Sequence, residues 1–555
     1  MRLTPIACAL LILCAACSDR AGGTSGEQTG GTMVIAIPAS EPSPLLPPLE
    51  VDITSRQVGD QIYDRLAEIG PEMNTFGDQG FSPRLARAWT WSRDSLSIAF
   101  SLNPRARWHD GTPVRANDVR FSFDVAKDPK TATQVTATIA NIDSVTVRDS
   151  LTAVAWFHKR TPEQFYDLAY QLFVLPEHLL KDVPHDKLAT SDIVRHPVGS
   201  GRFRFVRWEP GVRIELVADT ANYRGRAKFD RIIFVFVPDA GAAVTQLLSG
   251  QSDFFENVPP ALLPRLDSSS QLRAFRYPGN ASSYMGMNLR DPKRVGAPHP
   301  IFGDRRVRRA ISMALDRQGM LRNVFDTLGV LGSGPFPRAL ADTTIVLPPF
   351  DRAHAAALLD SAGWRAGGDG MRTKNGRPLA FALIVPTSSS YRMRYAVLIQ
   401  EQLKSVGARV NIESMDFGAF VDRQNARAFD AAMSSWNPDP ARSGIKQLWH
   451  SEATAKGGQN AVSYSNPTFD AMIDTALTTF DAARANQYAH RAYQVLVDDA
   501  PAAWLYDVLT IAGAHKRIHP EGLRADGWWT GLPDWWIPAN ERIDRDRIGL
   551  RPVQP

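Results

Sequence analysis

From Leu379 to Ile412 the chain reads strand, helix, strand, and no other stretch constrains the fold as much. Leu379 to Val385 (LAFALIV) is a short apolar run suited to one buried strand. Tyr391 to Val406 reads as a helix ending at Gly407, and Arg409 to Ile412 returns to an extended pattern. Two strands joined through a helix lie parallel, and a parallel sheet needs helices over its faces. The stretch therefore predicts an α/β lobe. Other segments agree. Met33 to Ile37 reads as a first strand, followed by a helix around Ser55 to Leu66 with Val58, Ile62 and Leu66 at four-residue steps. Arg231 to Val237 reads as a buried strand leading to a helix that ends at Gly250. Val307 to Leu321 and Asp351 to Ala362 read as helices, the second capped by Asp351 and stopped by Gly363.

A chain of 555 residues is too long for one core and should divide into two or three lobes. The net charge of +5 is a small excess over so large a surface, and no Lys/Arg run suggests nucleic acid. Arg2, the apolar run Ile6 to Ala16 and the small residues before Cys17 have the layout of a secretory signal, too short to span a membrane stably. Leu13-Cys14-Ala15-Ala16-Cys17 looks like a bacterial lipobox, with Cys14 where leucine is usual. Cleavage after residue 16 would leave Cys17 as the lipidated N-terminus and the only cysteine. Residues 17–32, rich in Gly, Ser and Thr, read as a flexible tether. A signal cleaved elsewhere is the alternative.

The segment Leu85 to Phe123 is unusually particular. Trp89 and Trp91 precede a strand in which Leu96, Ile98, Phe100 and Leu102 alternate with small polar or alanine positions. His109-Asp110-Gly111-Thr112-Pro113 is a tight turn, and Asn117 or Asp118 can cap the helix that follows. The His-Asp pair tempts one towards acid/base or metal chemistry, but before Gly and Pro it reads as architecture.

This order resembles the bacterial extracellular solute-binding proteins of family 5, the peptide/nickel class. The residues that carry the likeness are Trp91, Ser92 and Asp94, His109 to Pro113, and Asp118, Val119, Phe121 and Ser122. Further landmarks are Phe173 to His178, Pro197 to Phe205 with Asn222-Tyr223, Gly250 to Asp253, Val307 to Ala310, Ala362 to Trp364 and Ser405 to Gly407. The resemblance implies an α/β two-lobed periplasmic-binding-protein (Venus-flytrap) fold with an inserted domain and mixed sheets. Lobe I would comprise 33–68, 190–281 and 505–555, lobe II would be an insertion at 69–189, and lobe III would span 282–504. It implies a non-enzymatic receptor of an ABC importer, without cofactor and monomeric, that captures oligopeptides and hands them to membrane permease subunits. Another solute, such as an oligosaccharide or chelated metal, and a surface hydrolase on the same fold are the alternatives.

The resemblance also implies ligand contacts at Ser435, Trp436, Asn437 and Asp439, where relatives place a carboxylate against a peptide's α-amino group. A buried ammonium needs such a partner because desolvating either charge alone costs several kcal/mol. A cap or turn role for Asp439 is the competing reading. The loop holding Asp52, Ile53 and Thr54 is a second candidate, against a simple helix entry capped by Thr54. Tyr506 would line the cleft or pack between lobes. His515 and His519 have i,i+4 spacing, but Pro520 follows and no third ligand is near. Trp528, Trp529, Trp535 and Trp536 read as packing of the C-terminal segment in preference to a sugar-stacking platform. No Gly-x-Ser-x-Gly elbow, phosphate-binding Gly-x4-Gly-Lys-Ser/Thr loop or His-Glu-x-x-His pair occurs.

Overall fold

The computed structural model describes residues 29–547, apart from positions 39–41, 43, 51, 132, 134, 295, 336–343, 437–440, 456–457 and 525. Cys17, the signal and most of the tether thus lie outside the described residues, as do Asn437 and Asp439.

One sheet of eleven strands organises most of the molecule. Its order is Arg409–Met415, Ala380–Pro386, Ala431–Trp436, Leu272–Met287, Ala502–His515, Phe254–Phe255, Thr32–Ile37, Arg231–Phe236, Arg213–Ala218 and Phe203–Glu209, with Gly329–Leu331 paired beside Ala502–His515. The strand-helix-strand reading is borne out: Ala380–Pro386 and Arg409–Met415 are parallel, joined through the helix Ser390–Lys404. All six residues of Thr32–Ile37 are buried, as a strand flanked by parallel neighbours requires.

The two long strands Leu272–Met287 and Ala502–His515 pair antiparallel along most of their length. Their register breaks between Pro278 and Ser282, midway along the ladder. On one side of that break lies a core built from Met33, Ile35, Val58, Phe203, Ile232, Phe254 and the C-terminal tryptophans. On the other lie two cores, one around Phe302, Phe381, Tyr395 and Tyr506, the second around Trp449, Phe469, Tyr493 and Trp504.

A separate four-stranded sheet, in the order Ala86–Trp91, Ser97–Leu102, Thr152–Phe157 and Ile142–Asp149, carries its own core. The alternation expected after Trp91 is realised from Ile98 onward, with Ile98, Phe100 and Leu102 buried between half-buried neighbours, whereas Leu96 precedes the strand and is exposed. Asp118 is not the N-cap of the helix Ala116–Lys127. It sits one turn inside, accepting from the Arg115 amide (2.7 Å), the Glu177 amide (3.0 Å) and the Trp108 indole (3.3 Å). Asn117 is exposed. The helix expected over Val307 to Leu321 is two helices, Arg305–Met313 and Arg317–Phe325. Asp316 divides them, because its carboxylate accepts from the Gly319 amide (2.8 Å) and so caps a new helix.

His109 and Asp110 are architectural. Asp110 pairs with His178 at 2.7 Å. His109 ties the small sheet to the large one: its Nδ1 accepts from the Gly199 amide (3.2 Å) and its Nε2 faces the Gly201 carbonyl (3.0 Å). At Gly199 a Cβ would stand 1.9 Å from the Ile62 carbonyl oxygen, so only glycine fits. An imidazole that accepts at Nδ1 must be neutral there, and burial pulls His109 below the usual histidine range. The unfolded chain therefore binds the proton more readily than the folded one in the window below about pH 6.5. The contribution of His109 is complete above that pH and is lost as pH falls through the depressed folded-state value. Denaturant unfolding between pH 7 and pH 5 should show stability falling with acid, and His109→Gln should flatten that slope. An unchanged slope would remove His109 from the account.

Candidate functional site

Strand direction locates the site. On one side of the register break, Thr32–Ile37, Arg231–Phe236 and Phe254–Phe255 are parallel. On the other, Ala380–Pro386, Arg409–Met415 and Ala431–Trp436 are parallel. Of the long strands between them, Ala502–His515 is antiparallel to Phe254–Phe255 and Leu272–Met287 to Ala431–Trp436, and the two are antiparallel to each other. The two parallel groups therefore run towards the break from opposite ends, and their carboxyl ends converge on it. Ligands of open α/β sheets bind outside the carboxyl ends of strands.

Ser435 and Trp436 end the strand Ala431–Trp436 at this point, opposite Ser283 and Ser282. The Ser283 and Ser435 hydroxyls hydrogen-bond at 3.3 Å. Ser282 is buried, and its hydroxyl has no partner among the described residues. Trp436 is half-buried against the core that holds Trp449 and Trp504. Tyr506 hydrogen-bonds Ser283, and its ring packs on Tyr395 (4.2 Å) and Phe325 (4.8 Å). Burial pushes its phenol up to about 12. Tyr506 is thus a packed neighbour of the site.

The helix-entry loop differs from its expected form. The helix runs Ile53–Ile62, and Asp52 caps it, accepting from the Ser55 amide (2.8 Å) and hydroxyl (2.7 Å). Thr54 is not the cap: it is enclosed in the first turn, 3% exposed, while Ile53 stands 53% exposed. The physical reason is that Asp52, two residues earlier, already holds the extended cap conformation and its carboxylate takes the Ser55 amide, which leaves Thr54 inside the first turn.

Two residues at the break were not anticipated. Arg392 lies in the first turn of Ser390–Lys404, directly beyond the carboxyl end of Ala380–Pro386. It is half-buried beside Tyr284 and Tyr506, burial pulls its guanidinium below the usual arginine range, and no carboxylate among the described residues pairs with it. Glu256 follows Phe254–Phe255; the Tyr277 hydroxyl donates to it at 2.6 Å, and burial raises its carboxyl. The carboxyl-end rule, applied to the predicted strand Leu379 to Val385, leads to the segment that holds Arg392 without singling that residue out, and the two-residue strand before Glu256 was not among the predicted ones.

The remaining candidates are structural. His515 ends a strand and His519 stacks on Trp536 at 4.5 Å, so the helical spacing is not realised. Among the described residues no group of three or more His, Cys, Asp or Glu is placed to hold a metal ion. Trp528, Trp529 and Trp535 are buried, with Trp528 packed 4.5 Å from Phe254 and the Trp529 indole donating to Asp60 at 2.5 Å. Among the described residues no helix is long and apolar enough to cross a membrane.

Residues 80–456 match the model for bacterial extracellular solute-binding proteins, family 5. The chain is 27% identical over 520 residues to the oligopeptide-binding protein AppA of Bacillus subtilis, covering 90% of this chain and 91% of that one. It is 24% identical over 494 residues to the probable D,D-dipeptide-binding periplasmic protein DdpA of Escherichia coli, covering 85% and 88%. The solved structure of Bacillus subtilis AppA in complex with a nonapeptide superposes with a TM-score of 0.74 at 25% identity, over 92% of this chain and 99% of that one. NikZ from Campylobacter jejuni in complex with Ni(L-His) shares the fold, with a TM-score of 0.75 at 21% identity, over 91% and 99%. The match over most of the chain, on a fold whose strand ends converge at one break, makes this chain a member of the bacterial extracellular solute-binding proteins, family 5.

Proposed function

We propose that this protein is an extracytoplasmic receptor of an ABC importer that captures oligopeptides by closing two lobes over them and presents them to a permease. The observation that carries the reading is the convergence of two sets of strand carboxyl ends on the break at Pro278/Ser282, the arrangement a hinged binding protein needs. The lobes would be 33–68 with 190–281 and 505–555, the insertion 69–189, and 282–504, since the break and the separate cores fall near those limits. Ile53, Ser435, Trp436, Asn437 and Asp439 would contact the ligand, with Asp439 receiving the α-amine. Arg392, a cation without a protein partner among the described residues, would receive a carboxylate of the peptide. Ligand capture shifts the open and closed populations without chemical change, so no catalytic residue is assigned. Cys17 would be acylated and anchor the protein, which the intact mass of the mature chain would reveal.

Peptides of defined length, titrated calorimetrically and recovered for mass spectrometry, test this. Peptides should bind and return unchanged; cleaved products, or no binding across the series, would sink the reading. In the same titration Arg392→Gln should weaken peptides with a free C-terminus about tenfold and C-amidated ones little, the difference expected of one charge-assisted contact.

A further inference from the structure

Immediately beyond the proposed ligand segment, the chain is gripped by the small-sheet unit. Ala441 is 4% exposed and belongs to the core of that unit, among residues otherwise drawn from positions 66–223. The next residue, Arg442, donates its backbone amide to the Glu163 carboxylate at 2.8 Å, and the Thr75 hydroxyl donates to the same oxygen at 3.2 Å. Glu163 and Thr75 are both buried. The Arg442 guanidinium lies 5.8 Å from the centre of the Phe76 ring and hydrogen-bonds Asn486. A second contact of the same kind lies nearby, with the Arg160 guanidinium 3.7 Å from the Phe480 ring centre.

The grip is held from behind by residues of the small-sheet unit, among them Trp91, one of the residues that carry the family likeness. The Trp89 and Trp91 indoles both donate to Asp78, at 2.9 Å and 3.0 Å, which fixes the loop carrying Thr75 and Phe76. Phe165, two residues after Glu163, packs against Trp89 (4.8 Å), Phe81 (4.8 Å) and Phe100 (6.0 Å). The Gly77 amide donates to the Pro162 carbonyl at 2.8 Å, joining the loop to the turn before Glu163.

We infer that Glu163 is a positioning residue for the ligand: it clasps the chain at Arg442, six residues beyond Trp436, and so ties the chain that leaves that strand end to the inserted unit. The inference rests on the proposed peptide-binding role of the Trp436–Asp439 segment. A buried carboxylate accepting from a backbone amide makes a strong, directional tie, and its removal leaves the amide without a partner. The inserted unit thereby becomes part of the binding apparatus, although none of its residues needs to touch the ligand.

Hydrogen exchange and peptide titration on the full chain separate the two parts of the claim. In Glu163→Ala the Arg442 amide should exchange at least about tenfold faster, and peptides with a free α-amine should bind about tenfold more weakly, with N-acetylated peptides affected less. Glu163→Gln retains an acceptor oxygen and should restore both towards wild type, which guards against a general folding defect in the alanine variant. Unchanged exchange in Glu163→Ala would overturn the clasp. Faster exchange with unaltered discrimination between free and acetylated peptides would overturn the positioning role. A wild-type protein that binds no peptide would sink the oligopeptide reading and the positioning role with it, while the exchange result would still decide the clasp.

Discussion

Asp439→Ala is expected to weaken binding of peptides with a free α-amine by on the order of a hundredfold, and of their N-acetylated counterparts only slightly. The size of the effect follows from desolvation. An ammonium enclosed between two lobes loses its hydration, and removing the carboxylate opposite leaves it buried and unpaired. An acetylated terminus has no such charge to strand. Calorimetric titration of matched free and acetylated peptides into both proteins measures the difference directly. Equal losses would take Asp439 out of the amine role. Asp439→Asn is informative beside alanine, because it keeps the size and one acceptor while removing the charge. If the charge matters more than the hydrogen bond, asparagine should behave nearly as alanine does.

The α/β frame was most legible where a strand sits between parallel neighbours, as Thr32–Ile37 and Ala380–Pro386 do, because burial on both faces writes a continuous apolar run. LAFALIV at Leu379 to Val385 is such a run, and it lies in the sheet within one residue of its expected limits. Helix boundaries were less legible. Whether Asp316 continues a helix or begins another depends on whether its carboxylate finds the Gly319 amide, which periodicity does not encode. Trp436 and Ser435 were legible through a motif, and the fold brings them to the register break. Arg392 and Glu256 were not, because what distinguishes them is their surroundings. Arg392 matters for the tyrosines it lies beside, Tyr284 and Tyr506, each more than a hundred residues away along the chain. The His109-Asp110 turn misleads for the same reason: its partners, Gly199, Gly201 and His178, are far off in sequence and turn an apparently chemical pair into a tie between sheets.

Asp253→Ala should cost about 3–5 kcal/mol of stability, a large share of the roughly 5–15 kcal/mol that holds a domain folded. Asp253 is fully buried, and its Oδ1 receives the Arg517 guanidinium at 3.0 Å and 2.8 Å as well as that of Arg545. Its Oδ2 accepts from the Val34 amide at 2.9 Å. Arg517 also reaches Asp546 at 2.5 Å, and Asp546 accepts from the Thr32 amide at 2.8 Å. Two carboxylates and two guanidinium groups thus balance in charge while fastening the first strand of the sheet to the last helix of the described chain. Alanine at 253 would leave Arg517 with Asp546 alone, strip Arg545 of its carboxylate and orphan the Val34 amide. Because the groups form one network, the costs should not add: Asp253→Ala combined with Arg517→Met should be less destabilising than the sum of the two single changes. Equilibrium denaturation of the three variants measures this coupling. A loss under about 1 kcal/mol for Asp253→Ala would place the aspartate among weak surface pairs, which its burial argues against. The same result would bear on the proposed function, since Thr32–Ile37 is one of the strands whose carboxyl ends converge on the register break. A strand that frays at its amino end also shifts its carboxyl end at Ile37, so under the proposed receptor role Asp253→Ala should lower peptide affinity as well as stability.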